Sequence, residues 1–288
     1  NGSSIAAADI NTIAGATTGT LTVSNNINIT GTSAALVTAL GNVDTFGGTP
    51  TATLSDAHTL AELKAINDAT SGQLTLNDYT VALSGSVADI KAALAGSFAD
   101  AYTGNITLND ASGTSIAAED ITIIAGATNG TVTVSNNIDI IGTSAAIAAA
   151  VGNVDTFSGT PTVSLENAHT LAELKSINDA ISGTITLHDY AVALNGSSAD
   201  VAAALAGSFA ANYTGNVTLS DTPTNAQLEL IDAATTGNIT YNGSNDYTVS
   251  DSTISAGQLN SLDSEYSGTV DASAVTTITG TATDLITA

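Results

Sequence analysis

Cysteine, methionine and tryptophan are absent from the 288-residue chain, and only 3 residues are Lys or Arg. Without cysteine there is no disulfide framework, no thiol nucleophile and no zinc site built on thiolates. Set against 27 acidic residues, the scarcity of basic ones gives a net charge of −24. Nucleic acid and anionic membrane surfaces both require Lys/Arg patches to offset phosphate, so neither is expected as a partner. Long apolar runs are missing too. No stretch reaches the roughly 18 residues of a membrane span, which argues against membrane insertion. The opening Asn1-Gly2-Ser3-Ser4 has no Met and no basic-then-apolar leader, which reads as a processed product or a piece of something longer.

Charged residues make up 10% of the chain, against roughly 25% in ordinary soluble domains. The surface is therefore expected to be Thr, Ser, Asn and Gly with scattered Asp, a coat that repels anions and attracts divalent cations. At 43% hydrophobic, the sequence carries enough apolar material for a core. Sparse Lys and absent Cys suit a location outside the cytosol, extracellular or at the cell surface.

What the chain does contain is repetition. Asp9 returns as Asp120, Pro50 as Pro161, His58 as His169 and Tyr102 as Tyr213, each 111 residues on. Residues 5–110 and 116–221 align without gaps at roughly 70% identity. Three segments follow: a first long repeat at 1–110, a second at 111–221, and a divergent, truncated third at 222–288 with an insertion near Tyr241–Asp251.

A shorter template sits inside the long one. Thr59 with Glu62, Thr170 with Glu173, Thr224 with Gln227 and Ser255 with Gln258 have the spacing of a capping box, in which two side chains satisfy free N–H groups at a helix start. Leu and Ile follow at helical spacing, and a Gly closes each segment, predicting helices of about ten residues. A second helix type covers Thr32–Gly41, Ser86–Gly96 and Ser198–Gly207. Between helices, Thr20–Val23, Thr51–Leu54, Gln73–Leu76 and Asn105–Leu108 alternate apolar and polar residues as strands do. Four helices per 111 residues gives about 28 residues per coil. Strand–helix–strand units of that length pair in parallel through right-handed crossovers. The expected fold is an α/β protein, a right-handed βα solenoid of stacked strand–helix coils with a parallel sheet.

Polar pairs end the strands, among them Asn25-Asn26, Ser55-Asp56, Asn77-Asp78, Asn109-Asp110, His188-Asp189 and Ser220-Asp221. In a solenoid they would stack along one edge, roughly 4.8 Å apart. Turn chemistry accounts for them, since Asn and Asp bond their own backbone in tight turns. The functional reading is a calcium edge formed by Asp78, Asp110, Asp189 and Asp221, with calcium as the cofactor. The Gly-Gly-x-Gly-x-Asp nonapeptide of calcium-binding β-helices is absent.

His58 and His169 hold the same place before a helix N-cap and read as architectural, while His188 replaces Asn77 in a turn. With no His-Glu-x-x-His and no Gly-x-Ser-x-Gly elbow, neither a zinc enzyme nor a serine hydrolase is indicated. The chain is expected not to be an enzyme and to have no catalytic residues. Tyr102 and Tyr213, in Tyr-Thr-Gly-Asn, and Phe46 and Phe157 recur once per long period. They read either as plugs of helix-to-strand corners or as an aromatic platform for sugars. Asn-x-Ser/Thr triplets occur throughout, as a chain so rich in Asn and Thr produces by chance.

The blocks Ala-Glu-Leu-Lys-x-Ile-Asn-Asp-Ala (61–69 and 172–180), Ala-Ala-Leu-Ala-Gly-Ser-Phe (92–98 and 203–209) and the run 267–282 resemble the repeat arrays of very large cell-surface and secreted proteins of marine cyanobacteria, the hemolysin-type, RTX-associated group. The resemblance covers nearly the whole chain. It implies an extracellular structural, adhesive or surface-coat role, commonly associated with calcium. Residues 279–288 match the start of the second helix type and stop where Leu40-Gly41 would complete it. With no polar cap at either end, head-to-tail self-association into a filament or array is expected. The leading function is thus a rod in an extracellular sheath, surface layer or appendage. The alternatives are an adhesin segment that binds glycans or surfaces, and a calcium-rigidified spacer of a giant surface protein.

Overall fold

The computed structural model describes residues 2–241, 247–249, 251–265, 270–281 and 283. The centre of the predicted insertion and the last residues of the predicted terminal helix start lie outside the described residues. Short strands and short helices alternate along the chain, and the strand ladders are parallel, which makes it an α/β protein. Among the described residues there are ten helices: α1 (Ala7–Ala16), α2 (Ser33–Gly41), α3 (Leu60–Ala69), α4 (Val87–Leu94), α5 (Ala118–Ala127), α6 (Ser144–Gly152), α7 (Leu171–Ala180), α8 (Ser198–Leu205), α9 (Asn225–Ala234) and α10 (Ala256–Glu265).

The helix starts follow from the capping residues. Thr59 accepts from the Glu62 N–H at 3.3 Å while the Glu62 carboxylate accepts from the Thr59 N–H at 2.9 Å. Thr170 with Glu173, Thr224 with Gln227 and Ser255 with Gln258 repeat this reciprocal pair. Helices α1 and α5 follow the N-cap residues Ala6 and Ala117, which offer no side-chain cap, and carry Asp9, or Glu119 and Asp120, in the first turn. Negative charge there interacts favourably with the helix dipole. At 8–10 residues each, these helices are too short to persist alone and depend on packing.

The chain packs as two compact units, Asn1–Glu166 with Ala180–Thr184 and Asn167–Asp179 with Ile185–Ala288. In the first, one parallel sheet orders Ser4–Ala6, Asn28–Gly31, Thr51–Leu54 and Leu74–Thr75, and a bridge from Leu74 to Phe98 extends it. Another orders Leu83–Gly85, Ile106–Leu108, Val132–Val134 and Thr156–Phe157. That second sheet draws strands from both long repeats, so the repeat boundary at 110 is no boundary of packing. In the second unit, Leu194–Gly196, Val217–Leu219 and Ile239–Tyr241 form a ladder, and Thr253–Ser255 pairs with Thr277–Thr279.

Neighbouring rungs lie closer in sequence than the expected 28 residues. Asn28 pairs with Thr51 and Ala52 with Leu74, and side-chain bonds between the strands and turns of adjacent rungs join residues 20 to 27 apart. Helix starts at Ala7, Ser33, Leu60 and Val87 lie 26–27 residues apart while strand partners lie 22–26 apart, so one helix separates each strand from its partner but begins later along each successive rung. Between the end of α4 and the start of α5, Ile106–Leu108 pairs with Leu83–Gly85 on one side and Val132–Val134 on the other. The short strands ahead of α1, α2 and α4 were not apparent in the sequence, being only 3–4 residues long.

Strand side chains alternate, with Ala52, Leu54, Ile106 and Leu108 inward and Thr51, Thr53 and Thr107 half-buried on the other face. Against the inward row lie the helix stripes: Leu36 and Ala39 of α2, Leu63 and Ile66 of α3, Ile90 and Ala93 of α4, all fully buried. The second unit repeats this with Leu174 and Ile177 of α7 and Val201 and Ala204 of α8. Large-to-small changes at such positions lose transfer free energy and leave a cavity. Leu63→Ala is expected to destabilise by about 2–5 kcal/mol in urea denaturation. Ile13→Ala, on a side chain 48% exposed in α1, is expected to change the unfolding free energy by less than about 0.5 kcal/mol.

Candidate functional site

The polar pairs at the strand ends divide into two kinds of hydrogen bond. Asp110 accepts from the N–H of Val87 at 2.9 Å, and Asp221 from the N–H of Ser198 at 2.7 Å, each reaching 23 residues back. Val87 and Ser198 are the first residues of α4 and α8, so each carboxylate satisfies a free N–H at the positive end of a helix on the neighbouring rung. Asp56 does the same for Ser33 of α2 at 2.7 Å. Asp78 and Asp189 instead fold onto their own turns, accepting from the N–H of Thr80 and of Ala191, both at 2.8 Å. The Thr80 hydroxyl, followed by its N–H, holds the Asp78 carboxyl below the usual carboxylate range.

All four aspartates proposed for a calcium edge are thus accepting hydrogen bonds from backbone N–H groups, two across rungs and two within turns. Among the described residues no group of three or more His, Cys, Asp or Glu is arranged to hold a metal ion. The three basic side chains are also engaged. Lys64 pairs with Asp68 at 2.9 Å, Lys175 with Asp179 at 2.7 Å, and Lys91 with Asp120. Hydrogen bonding to the aspartate raises the Lys64 and Lys175 ammonium pKa values in the same way.

Further rung-to-rung bonds come from the Asn25-Asn26 pair and its repeat and from Asp, Asn and Thr residues the sequence did not mark. Asn26 accepts from the Thr49 N–H and its repeat Asn137 from the Thr160 N–H, both at 2.8 Å. Asp44 and Asp155 accept from the N–H of Leu21 and Val132 at 2.7 and 2.8 Å. Asn67 of α3 donates to the Ala92 carbonyl near the end of α4 at 2.7 Å, and Asn178 to the Ala203 carbonyl at 2.5 Å. Buried Thr128 and Thr235 donate to the carbonyls of Gly104 and Gly215 at 2.8 and 2.9 Å. The detectable signal was an Asn, Asp or Thr whose spacing to its partner is about one rung, but nothing in a single sequence names the partner.

The recurrent His and Tyr come together. Nε2 of His58 lies 3.3 Å from Oη of Tyr102, and His169 lies 3.1 Å from Tyr213. Each phenol donates its proton to a third rung, Tyr102 to the Val81 carbonyl at 2.5 Å and Tyr213 to the Val192 carbonyl at 2.6 Å. A phenol has one proton, so the Oη must accept from the imidazole, which places the histidine proton on Nε2 and leaves Nδ1 bare. Both Nδ1 atoms are buried and lack a hydrogen-bond partner among the described residues. Burial lowers both histidine pKa values, against the pull of Asp78, Glu62 and Asp56 on His58 and of Asp189 and Glu173 on His169. Burial raises the tyrosine pKa values in turn.

At 2% and 1% exposure, Tyr102 and Tyr213 are core residues, and neither ring can serve as the sugar platform considered from the sequence. Phe98 and Phe209 pack beside them with ring centroids 6.2 and 6.4 Å away. Phe46 and Phe157 are half-buried strand residues, and His188 is exposed in its turn. The glycine of Tyr-Thr-Gly-Asn is explained by contact: a Cβ on Gly104 would lie 2.0 Å from the Val81 carbonyl oxygen and 2.8 Å from the Tyr102 ring. In the divergent third segment a groove of about 480 Å³ lies between α9 and α10, lined by Leu228, Ile254 and Leu262 with Glu229, Asp232 and Asp251.

No helix among the described residues is long and apolar enough to cross a membrane. No family model matches the chain, and no curated protein or solved structure matches it.

The carboxylate straps have a measurable value. Asp110→Ala removes an acceptor from the start of α4 and is expected to cost about 0.5–2 kcal/mol of unfolding free energy, the range for a lost N-cap. Asp110→Asn, which keeps the acceptor, is expected to recover most of that in the same denaturation series.

Proposed function

We propose that the chain is a length of right-handed βα solenoid that serves as a structural rod, self-associating head to tail in an extracellular sheath, surface layer or appendage. The observation that carries this reading is the use made of the polar residues. The same Asn, Asp, His and Tyr make the same rung-to-rung bonds in both long repeats: Asn26 and Asn137, Asp44 and Asp155, Asp110 and Asp221, Tyr102 and Tyr213. A site for one substrate would break that equivalence, whereas a stacking element benefits from keeping it. The sparsely charged Thr/Ser/Asn surface and the resemblance to giant cell-surface repeat proteins support the same reading.

Negative-stain electron microscopy with light scattering tests it, over a range of protein concentration and salt, with calcium and with chelator. Filaments or ordered arrays that lengthen with concentration are the expected result. Dispersed monomers under every condition would overturn the assembly proposal.

A further inference from the structure

Tyr102 and Tyr213 each join three successive rungs through one hydroxyl, and each junction depends on a neutral histidine. His58, Val81 and Tyr102 are spaced at about one rung each: the Tyr102 hydroxyl donates 21 residues back to Val81 and accepts from His58 44 residues back. Val192 and His169 stand at the same distances from Tyr213. The imidazole can hold its tie only in the Nε2–H form, since the phenol proton is committed to the valine carbonyl. A second proton must go onto Nδ1, which has no acceptor among the described residues and is buried, His58 being 3% exposed and His169 4%. A buried cation without a hydrogen-bond partner is costly, and opening the rungs to water relieves that cost.

We propose that the two His–Tyr ties are acid-operated latches: protonation of His58 and His169 releases the rungs that Tyr102 and Tyr213 hold together. The groups facing His58 are Asp56 beside it, Glu62 in the first turn of α3, Asp78 in the turn after Leu74–Thr75, and Tyr102. Those facing His169 are Glu173 in α7, Asp189 and Tyr213. These carboxylates favour the imidazolium but do not hydrogen-bond the rings, and burial outweighs them. They become useful once the latch has opened, because they then face a hydrated cation.

The sign follows from linkage. A free imidazole titrates near 6.5 and the folded one lower, so below about pH 6.5 the unfolded or opened chain takes up more protons than the closed one. The stability contributed by each tie is complete above pH 6.5 and is lost as the pH falls through the folded value. Each unit by which the fold depresses the histidine pKa multiplies opening by roughly ten at acid pH.

Amide hydrogen exchange on the full chain at pH 7.5 and pH 5.0, corrected for the intrinsic rate, tests the proposal. Amides of 79–104 and 190–215 are expected to open roughly tenfold or more at pH 5.0 in the wild type. In H58Q/H169Q, where an amide N–H can replace Nε2–H without titrating, the acid-specific increase should vanish even if the protein is less stable overall. Equal acid sensitivity in the two proteins overturns the latch. Long-range imidazole proton–nitrogen spectra of the wild type give a readout independent of any variant. The Nε2–H tautomer at pH 7.5, with titration below 6.5 that accompanies the exchange change, supports the proposal. An Nδ1–H tautomer, or titration without a change in exchange, overturns it.

Discussion

Parallel strands spaced by a backbone hydrogen bond leave no slack at the edges of the stack. At a rung separation of roughly 4.8 Å, every polar group in a connecting loop lies within a side chain's length of the next rung. Many loops of this protein use that proximity, while Asp78 and Asp189 bond within their own turns. Asn26, Asp44, Asp56 and Asp110 each satisfy an N–H on an adjacent rung, and Thr128 and Thr235 each satisfy a carbonyl. The helices are too short to stand alone, and α2, α4 and α8 supplement their own Thr or Ser cap with a carboxylate from another rung. Neither helix nor loop is complete without its neighbour, so cooperativity is built into the hydrogen-bond pattern as well as the apolar core.

Differences between the two long repeats show which parts of that pattern can vary. Thr70, which ties to the Pro50 carbonyl, becomes Ile181, also buried. A hydroxyl strap is exchanged there for apolar burial at the same corner. Asn28 becomes Asp139, and the carboxylate accepts from Thr162 and Ser164 as the amide oxygen of Asn28 accepts from Thr51 and Thr53. Acceptors are interchangeable as long as an oxygen remains. The glycines beneath the tyrosine rings are unchanged, because any Cβ would enter a neighbouring carbonyl.

Much of the fold was legible in the sequence because repetition amplified weak local signals. A single Thr-Leu-Ala-Glu is an ordinary helix start, but four relatives of it at related spacings identified the capping pairs that the structure contains. Strand-helix alternation and parallel pairing followed from the same periodicity. The rung length did not, because the helix starts are spaced more widely than the strands they separate. At the candidate site, the sequence marked the polar strand ends but not their hydrogen-bond partners. Asp78, Asp110, Asp189 and Asp221 look alike along the chain, yet two act across rungs and two act locally. His58 and Tyr102 are 44 residues apart, with no local cue that one phenol serves both a histidine and a backbone carbonyl.

The rung-to-rung partners also bear on how such a chain can change length. They make the rungs within each 111-residue stretch inequivalent, since only the three that carry His58, Val81 and Tyr102, or their repeats, meet at a His–Tyr tie. Excising a single rung would leave Asp110 facing the wrong helix start or Tyr102 without its histidine. Excising or duplicating 111 residues restores each donor to an acceptor of its own kind. Recombination between near-identical copies therefore has a natural quantum, and growth or shrinkage of the coding sequence by that quantum preserves the folding code, while smaller slips do not.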